Sequence, residues 1–215
     1  MIENILVLSF LAALCSCDVT AFGQFMISRP IFCGPVFGFL TGDINCGIWI
    51  GMIVEMIWVN SIPLGVAVPI DVSVVTILST VWTCNYFIGK QEAAICALIL
   101  AVPMSCLHRE IDIFGRNANI KIMYWIEKGI EKNQQWRINV GIAAGILFFL
   151  LRSFVFYLAA IYVGGKVYAG VYLQIPAVGL SAFSKAWFLL PIAGFGAVIY
   201  NFKNTLIAFS NSKKQ

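Results

Sequence analysis

Asp43, Gly47, Gly51 and Glu55 recur every four residues in GDINCGIWIGMIVEM, a run that is otherwise largely apolar. On a helix that spacing lines them up in one slowly drifting stripe, small and acidic. A carboxylate near the centre of a bilayer costs about 3 kcal/mol on insertion scales, so Glu55 is expected to face protein, a water-filled cavity or a substrate rather than lipid. An ionised carboxylate accepts from two hydroxyls in charge-assisted bonds, and amide side chains both donate and accept, a combination that suits a polyol. Gln24 and Asn60 are the amides nearest this stretch in sequence, and Trp49 and Trp58 offer flat apolar faces, although ordinary packing is the simpler account of each tryptophan. Asp43 and Asp71 each stand just before an apolar helical run, where an aspartate also serves as an N-cap. Gly47 and Gly51 have the spacing of a groove that lets two helices approach closely, which is packing before it is ligand contact.

These residues need a membrane scaffold. Of the 215 residues, 60% are hydrophobic and only 11% charged, with a mean hydropathy of +0.90, far from the charged quarter of a soluble domain. The composition predicts an all-α polytopic membrane protein. Up to Phe87 the only base is Arg29, and every other Lys and Arg comes later. That asymmetry points to loop orientation rather than to nucleic acid. Seven cysteines, scattered through apolar sequence without His at ligand spacing, argue against disulfides and a bound metal. No nucleophile, base and orienting residue fall at recognisable spacing, and no glycine loop followed by Lys is present to cradle a phosphate, so neither an independent catalytic role nor a cofactor is expected.

Apolar segments lie at 4–22, 30–42, 44–59, 72–87, 91–107, 138–163 and 186–202. The first lacks the positive flank of a signal peptide and is expected to stay as a helix. Those between Pro30 and Phe87 are short: Ile44 to Val59 would cover only about 24 Å as a helix, less than a bilayer core. In NSIPLGVAVPID, Pro63 and Pro69 remove backbone donors and Gly65 loosens the chain, which predicts an unwound break between half-helices. Such irregular backbone at membrane depth must border protein or a polar cavity, as in transporters with midplane sites. The charged stretch 108–137, with Ile120, Met123, Trp125 and Ile130 on one helical face, predicts a cytoplasmic loop with an amphipathic helix. The segment 164–185 is expected to lie at the opposite interface. The chain then divides into an N-terminal membrane bundle (1–107), the amphipathic loop (108–137), and C-terminal membrane helices with a basic tail (138–215) that is also expected to be cytoplasmic. Arg152, within the sixth segment, requires a partner or a polar cavity.

Between Thr20 and Thr80 the order GQF, RP, GP, GD, GIWIG, Glu55, Gly65 and PID resembles the membrane subunit EIIC of the mannose/fructose/sorbose class of bacterial sugar phosphotransferase systems. Weaker likeness continues through LQIPAVGLSAFSKAWFLLPIAGFGAVI. The resemblance implies a permease subunit in the bacterial cytoplasmic membrane that moves a hexose by alternating access. It implies a hetero-oligomer with an EIID membrane subunit, while cytoplasmic EIIA and EIIB proteins pass phosphate to the sugar. It maps sugar contacts to Gln24, Glu55, Asn60 and Asp71, with Asp43, Gly47, Gly51, Pro63, Gly65 and Pro69 as structural positions. Because EIIC carries no phosphate, the lone His108 reads as a solvated or interfacial histidine. Members of the class commonly extend by another pair of apolar segments, so what resembles a second inverted repeat is incomplete here. Two other classes stay open: a sensor or scaffold recruiting cytoplasmic partners through 108–137, and a cation or proton channel built on Asp43, Glu55 and Asp71.

Overall fold

Hydroxyl side chains and β-branched residues alternate through VSVVTILSTVWTCNY, a composition with no polar face and no lipid face. A computed structural model, which describes residues 2–20, 25–59, 70–130 and 134–212, places this helix at the centre of the bundle. The elements are α1 (Ile2–Thr20), α2 (Pro30–Thr41), α3 (Ile44–Ile57), the central α4 (Val72–Tyr86), α5 (Gln91–Ile130), α6 (Trp136–Ala159), a π-helical turn (Ala160–Gly164), α7 (Gly165–Gln174) and α8 (Ala177–Ser212). Every α4 residue from Ser73 to Cys84 is buried. Buried hydroxyls need partners, and Thr76, Ser79 and Thr83 find them on their own helix by donating to the carbonyls of Val72, Val75 and Ser79.

Three stretches, 91–130, 136–174 and 177–203, are long and apolar enough to cross a membrane, and the helices before them are shorter. The chain is therefore an all-helical membrane protein with half-length helices among its described elements. The short segments read at 30–42 and 44–59 form α2 and α3, of 12 and 14 residues, about 18 and 21 Å long. They pair as an antiparallel hairpin. Its tip turns on Gly42, at φ 96°, which closes α2 by donating its amide back to that helix, a left-handed conformation that glycine adopts freely. Below the tip the two backbones touch through glycines. A Cβ on Gly47 would lie 2.2 Å from the carbonyl oxygen of Gly34, and one on Gly34 would lie 2.4 Å from that of Gly47. Gly47→Ala is therefore expected to force the hairpin apart at a cost of about 3 kcal/mol. A reduced yield of folded protein in the membrane fraction and a lower thermal midpoint in detergent check this.

Two expectations are corrected. The stretch from His108 onward is not a loop followed by a separate helix: α5 runs unbroken for 40 residues from Gln91 to Ile130. The segment 164–185 is likewise not a separate interfacial piece, because α6 continues through the π turn into α7 and ends at Gln174, and α8 starts at Ala177. Both continuations have side-chain causes. Arg152 of α6 donates to the Ile111 and Asp112 carbonyls of α5 (3.2 and 3.1 Å) and to the Asp112 carboxylate, whose other oxygen accepts from Arg116 at 2.7 Å. Gly115 leaves room for that guanidinium. At the π turn, the Ala160 carbonyl accepts from the Trp82 indole at 3.2 Å, and Tyr168 of α7 stacks on Trp82 and donates to the Ala93 carbonyl of α5.

Candidate functional site

In the antiparallel hairpin the C-terminal turn of α3 lies beside the first turn of α2, and this sets the surroundings of Glu55. One carboxylate oxygen is 3.4 Å from Arg29 Nη1, and the other accepts from the Ile31 amide, also at 3.4 Å. Arg29 is the N-cap of α2, with Pro30 following it, so Glu55 sits at the positive end of a helix. Both contacts are long, the side chain keeps 20% of its exposure, and each oxygen retains a free lone pair. A second acid, Asp18 at the end of α1, holds the approach to the same turn: it accepts from the Phe25 amide at 2.7 Å and from the amide and hydroxyl of Ser28 at 3.3 and 3.4 Å. Asp18 is 5% exposed. In the sequence it stands near the edge of an apolar run and reads only as a boundary; its distance from Ser28 along the chain hid the pairing.

Asp71 caps α4. One oxygen accepts from the amide and hydroxyl of Ser73, and its backbone carbonyl accepts from Ser105 of α5 at 2.7 Å. The other oxygen lies 3.2 Å from Nδ1 of His108. His108 is thus not solvated or interfacial: it is 3% exposed, packed between α4 and the rings of Phe156 and Tyr157, 4.7 and 5.9 Å away between centroids. The reason lies in the continuity of α5, which carries His108 into the bundle instead of out to water. Beside it, the Tyr157 hydroxyl shares a 2.9 Å bond with Ser16 of α1. Cys33 of α2, fully buried, lies near both Asp71 and Glu55, so the two carboxylates belong to one end of the bundle.

Asp43 belongs to the other end. It caps α3, accepting from the Cys46 amide at 3.0 Å, and twelve residues of helix, about 18 Å, separate it from Glu55. There it borders a cavity of about 300 Å³ with Asn45, Trp49, Lys90, Gln91 and Trp187. The acidic stripe read from the sequence is therefore no single site: its two glycines are spent on the hairpin contact, and its two acids face different ends. Gln24, Asn60, Pro63, Gly65 and Pro69 lie outside the described residues. The residues that flank them, Phe25 and Val59, Ile70 and Asp71, adjoin the end of the bundle that holds Glu55 and His108.

Chemically, this end offers three buried or half-buried carboxylates with unspent acceptor capacity, one guanidinium and an imidazole. Such a set recognises hydroxyl donors.

Comparison with known proteins shows the fold and the family. The chain is 22% identical over 195 residues to the mannose-specific EIIC component of the phosphotransferase system of Escherichia coli K12, covering 90% of this chain and 72% of that protein. It is 24% identical over 109 residues to the sorbose-specific EIIC component of Klebsiella pneumoniae, covering 51% of this chain and 40% of that one. Its fold superposes on a chain of the cryo-EM structure of the mannose transporter ManYZ in complex with microcin E492, with a TM-score of 0.65 and 19% identity, covering 100% of this chain and 86% of that chain. The family described as the sorbose-specific IIC component of the phosphotransferase system matches residues 2–209, and the chain belongs to that family, as a membrane-embedded IIC component of the mannose and sorbose kind.

Proposed function

We propose that this chain is the EIIC subunit that carries a hexose of the mannose, fructose, sorbose or amino-sugar class across the bacterial cytoplasmic membrane, together with an EIID membrane subunit. EIIA and EIIB phosphocarriers on the cytoplasmic side pass phosphate to the emerging sugar, and this chain contributes no catalytic residue of its own. The sugar contacts are Gln24, Glu55, Asn60 and Asp71. The observation that carries the reading is the convergence of Glu55 and Asp71 at one end of the bundle, each anchored by one set of bonds and free to accept more. The stretch 60–69, with Pro63, Gly65 and Pro69, joins them along the chain, and Asn60 directly follows Val59 at that end.

The unit that holds the sugar is the N-terminal bundle, 1–107, which includes the glycine-packed α2–α3 hairpin. The basic stretch that follows the buried His108 and Asp112, as far as 137, faces the cytoplasm at the end of the α5–α6 pair, and 138–215 completes the membrane helices with a cytoplasmic basic tail, as the clustered bases favour. Alternating access follows if the hairpin and the ends that it anchors move against the paired long helices.

The test is uptake into vesicles that contain this chain and its EIID partner, with phosphoenolpyruvate and the phosphotransfer proteins inside. Mannose, fructose, sorbose and N-acetylgalactosamine serve as labelled probes. One of them is expected to accumulate as its phosphate only when both membrane subunits are present. Assembly of the complex without accumulation of any sugar would favour the sensor or scaffold reading.

A further inference from the structure

The single histidine is a buried titratable group to which the sugar-site reading gives no role. His108 stands on α5, 3% exposed, with Nδ1 3.2 Å from the Asp71 oxygen that Ser73 does not use. Its Nε2 is enclosed and, among the described residues, has no hydrogen-bond partner. Phe156 and Tyr157 press on the ring, so packing fixes the plane of the imidazole while its polar contact, among the described residues, is the Asp71 carboxylate.

The choice of an imidazole has a physical consequence. Arginine takes both oxygens of a carboxylate in a bidentate fork; an imidazole with one nitrogen facing it makes a single contact and leaves more of the lone pairs open. Ser73 tethers one oxygen from the helix that Asp71 itself caps, and His108 holds the other from a different helix. One turn further along α5, Asp112 is bound to Arg152 and Arg116, which fixes the axial position of the helix that presents the imidazole.

We infer that His108 is a positioning residue for the sugar site: its Nδ1 contact with Asp71, at 3.2 Å, orients that carboxylate toward the hydroxyls of a bound hexose. The inference rests on Asp71 being a sugar contact. It concerns a residue of this chain that touches no sugar and acts through Asp71.

Because the chain has one histidine, incorporation of 15N-histidine gives a single imidazole to observe in the full chain, assembled with its partner subunit in lipid nanodiscs. Titration with the sugar that the uptake assay identifies, or with each of mannose, fructose, sorbose and N-acetylgalactosamine, is expected to shift its ring 15N resonances in the wild type and to leave them unmoved in Asp71→Asn. In uptake, His108→Phe, which keeps a ring and loses the donor, is expected to raise the half-saturating sugar concentration about tenfold with the maximal rate nearly unchanged. His108→Asn, whose Nδ2 falls close to the place of the imidazole Nδ1, is expected to recover most of that loss. Wild-type half-saturation in His108→Phe, alongside an impaired Asp71→Asn, overturns the inference and leaves the sugar site standing. Equal losses of folded protein in both His108 variants with half-saturation unchanged would make the role purely structural and overturn it too. If Asp71→Asn transports normally, the assignment of Asp71 fails first. Should His108→Phe not fold, imidazole resonances that no sugar moves in the wild type are sufficient to overturn it.

Discussion

Glu55→Gln is expected to reduce sugar uptake about 100-fold while the protein remains folded in the membrane, because the site loses charge-assisted acceptors for two hydroxyls. The two effects separate for a structural reason. The carboxylate makes only long contacts, 3.4 Å to Arg29 and 3.4 Å to the Ile31 amide, and glutamine preserves one acceptor at the same place. What the fold loses is a negative charge at the start of α2, about 1 kcal/mol at a partly buried position. Binding of a polyol loses far more, since an amide nitrogen turned toward a hydroxyl donor offers nothing to accept with. Uptake measured beside the thermal midpoint of the purified complex tests the separation. Wild-type uptake in Glu55→Gln would remove Glu55 from the site, whereas a collapse of folding would recast it as the clasp of the hairpin.

Asp112→Ala is expected to cost the fold about 3–5 kcal/mol, the penalty of breaking a buried ion pair from one side. Arg152 would then keep its two bonds to backbone carbonyls but lose its counter-charge, at a side chain only 11% exposed. Arg116, half exposed, would lose a partner that water can replace. The informative variant is the double one. Asp112→Leu with Arg152→Met removes both charges and their desolvation, and such replacements are often neutral or better. The midpoint of thermal unfolding in the double variant is therefore expected to recover most of what Asp112→Ala loses. A double variant no better than Asp112→Ala would show that Arg152 serves the fold mainly through its carbonyl bonds to α5.

How much of this was legible beforehand depends on whether a residue signals its role locally. The half-helices around Gly42 were legible, since a glycine and an aspartate between two apolar runs too short to span can only be a turn. Glu55 and Arg152 announced themselves by cost: a charge in an apolar run demands an explanation. The sequence did not say which partner each would find, and the answers, Arg29 and Asp112, lie 26 and 40 positions away. His108 was misplaced because the charge that surrounds it in HREID marks a membrane exit in hydropathy, and hydropathy does not tell whether the helix stops there. Asp18 was passed over for the same reason at the end of α1. The π turn at Ala160–Gly164 has no pattern of its own; it follows from Trp82 donating to the Ala160 carbonyl across two helices, a contact no window of neighbouring residues contains.

The burial of α4 on every side bears on how the chain is made. A helix of 15 residues is about 22 Å long, short of the bilayer core, and the hydroxyls of Thr76, Ser79 and Thr83 are satisfied against its own carbonyls. During synthesis it emerges after the α2–α3 hairpin that covers one side of it, but before α5 and α7, which cover the rest. At that moment it lacks both the length to span and the cover that α5 later supplies, so its full burial waits on segments translated after it.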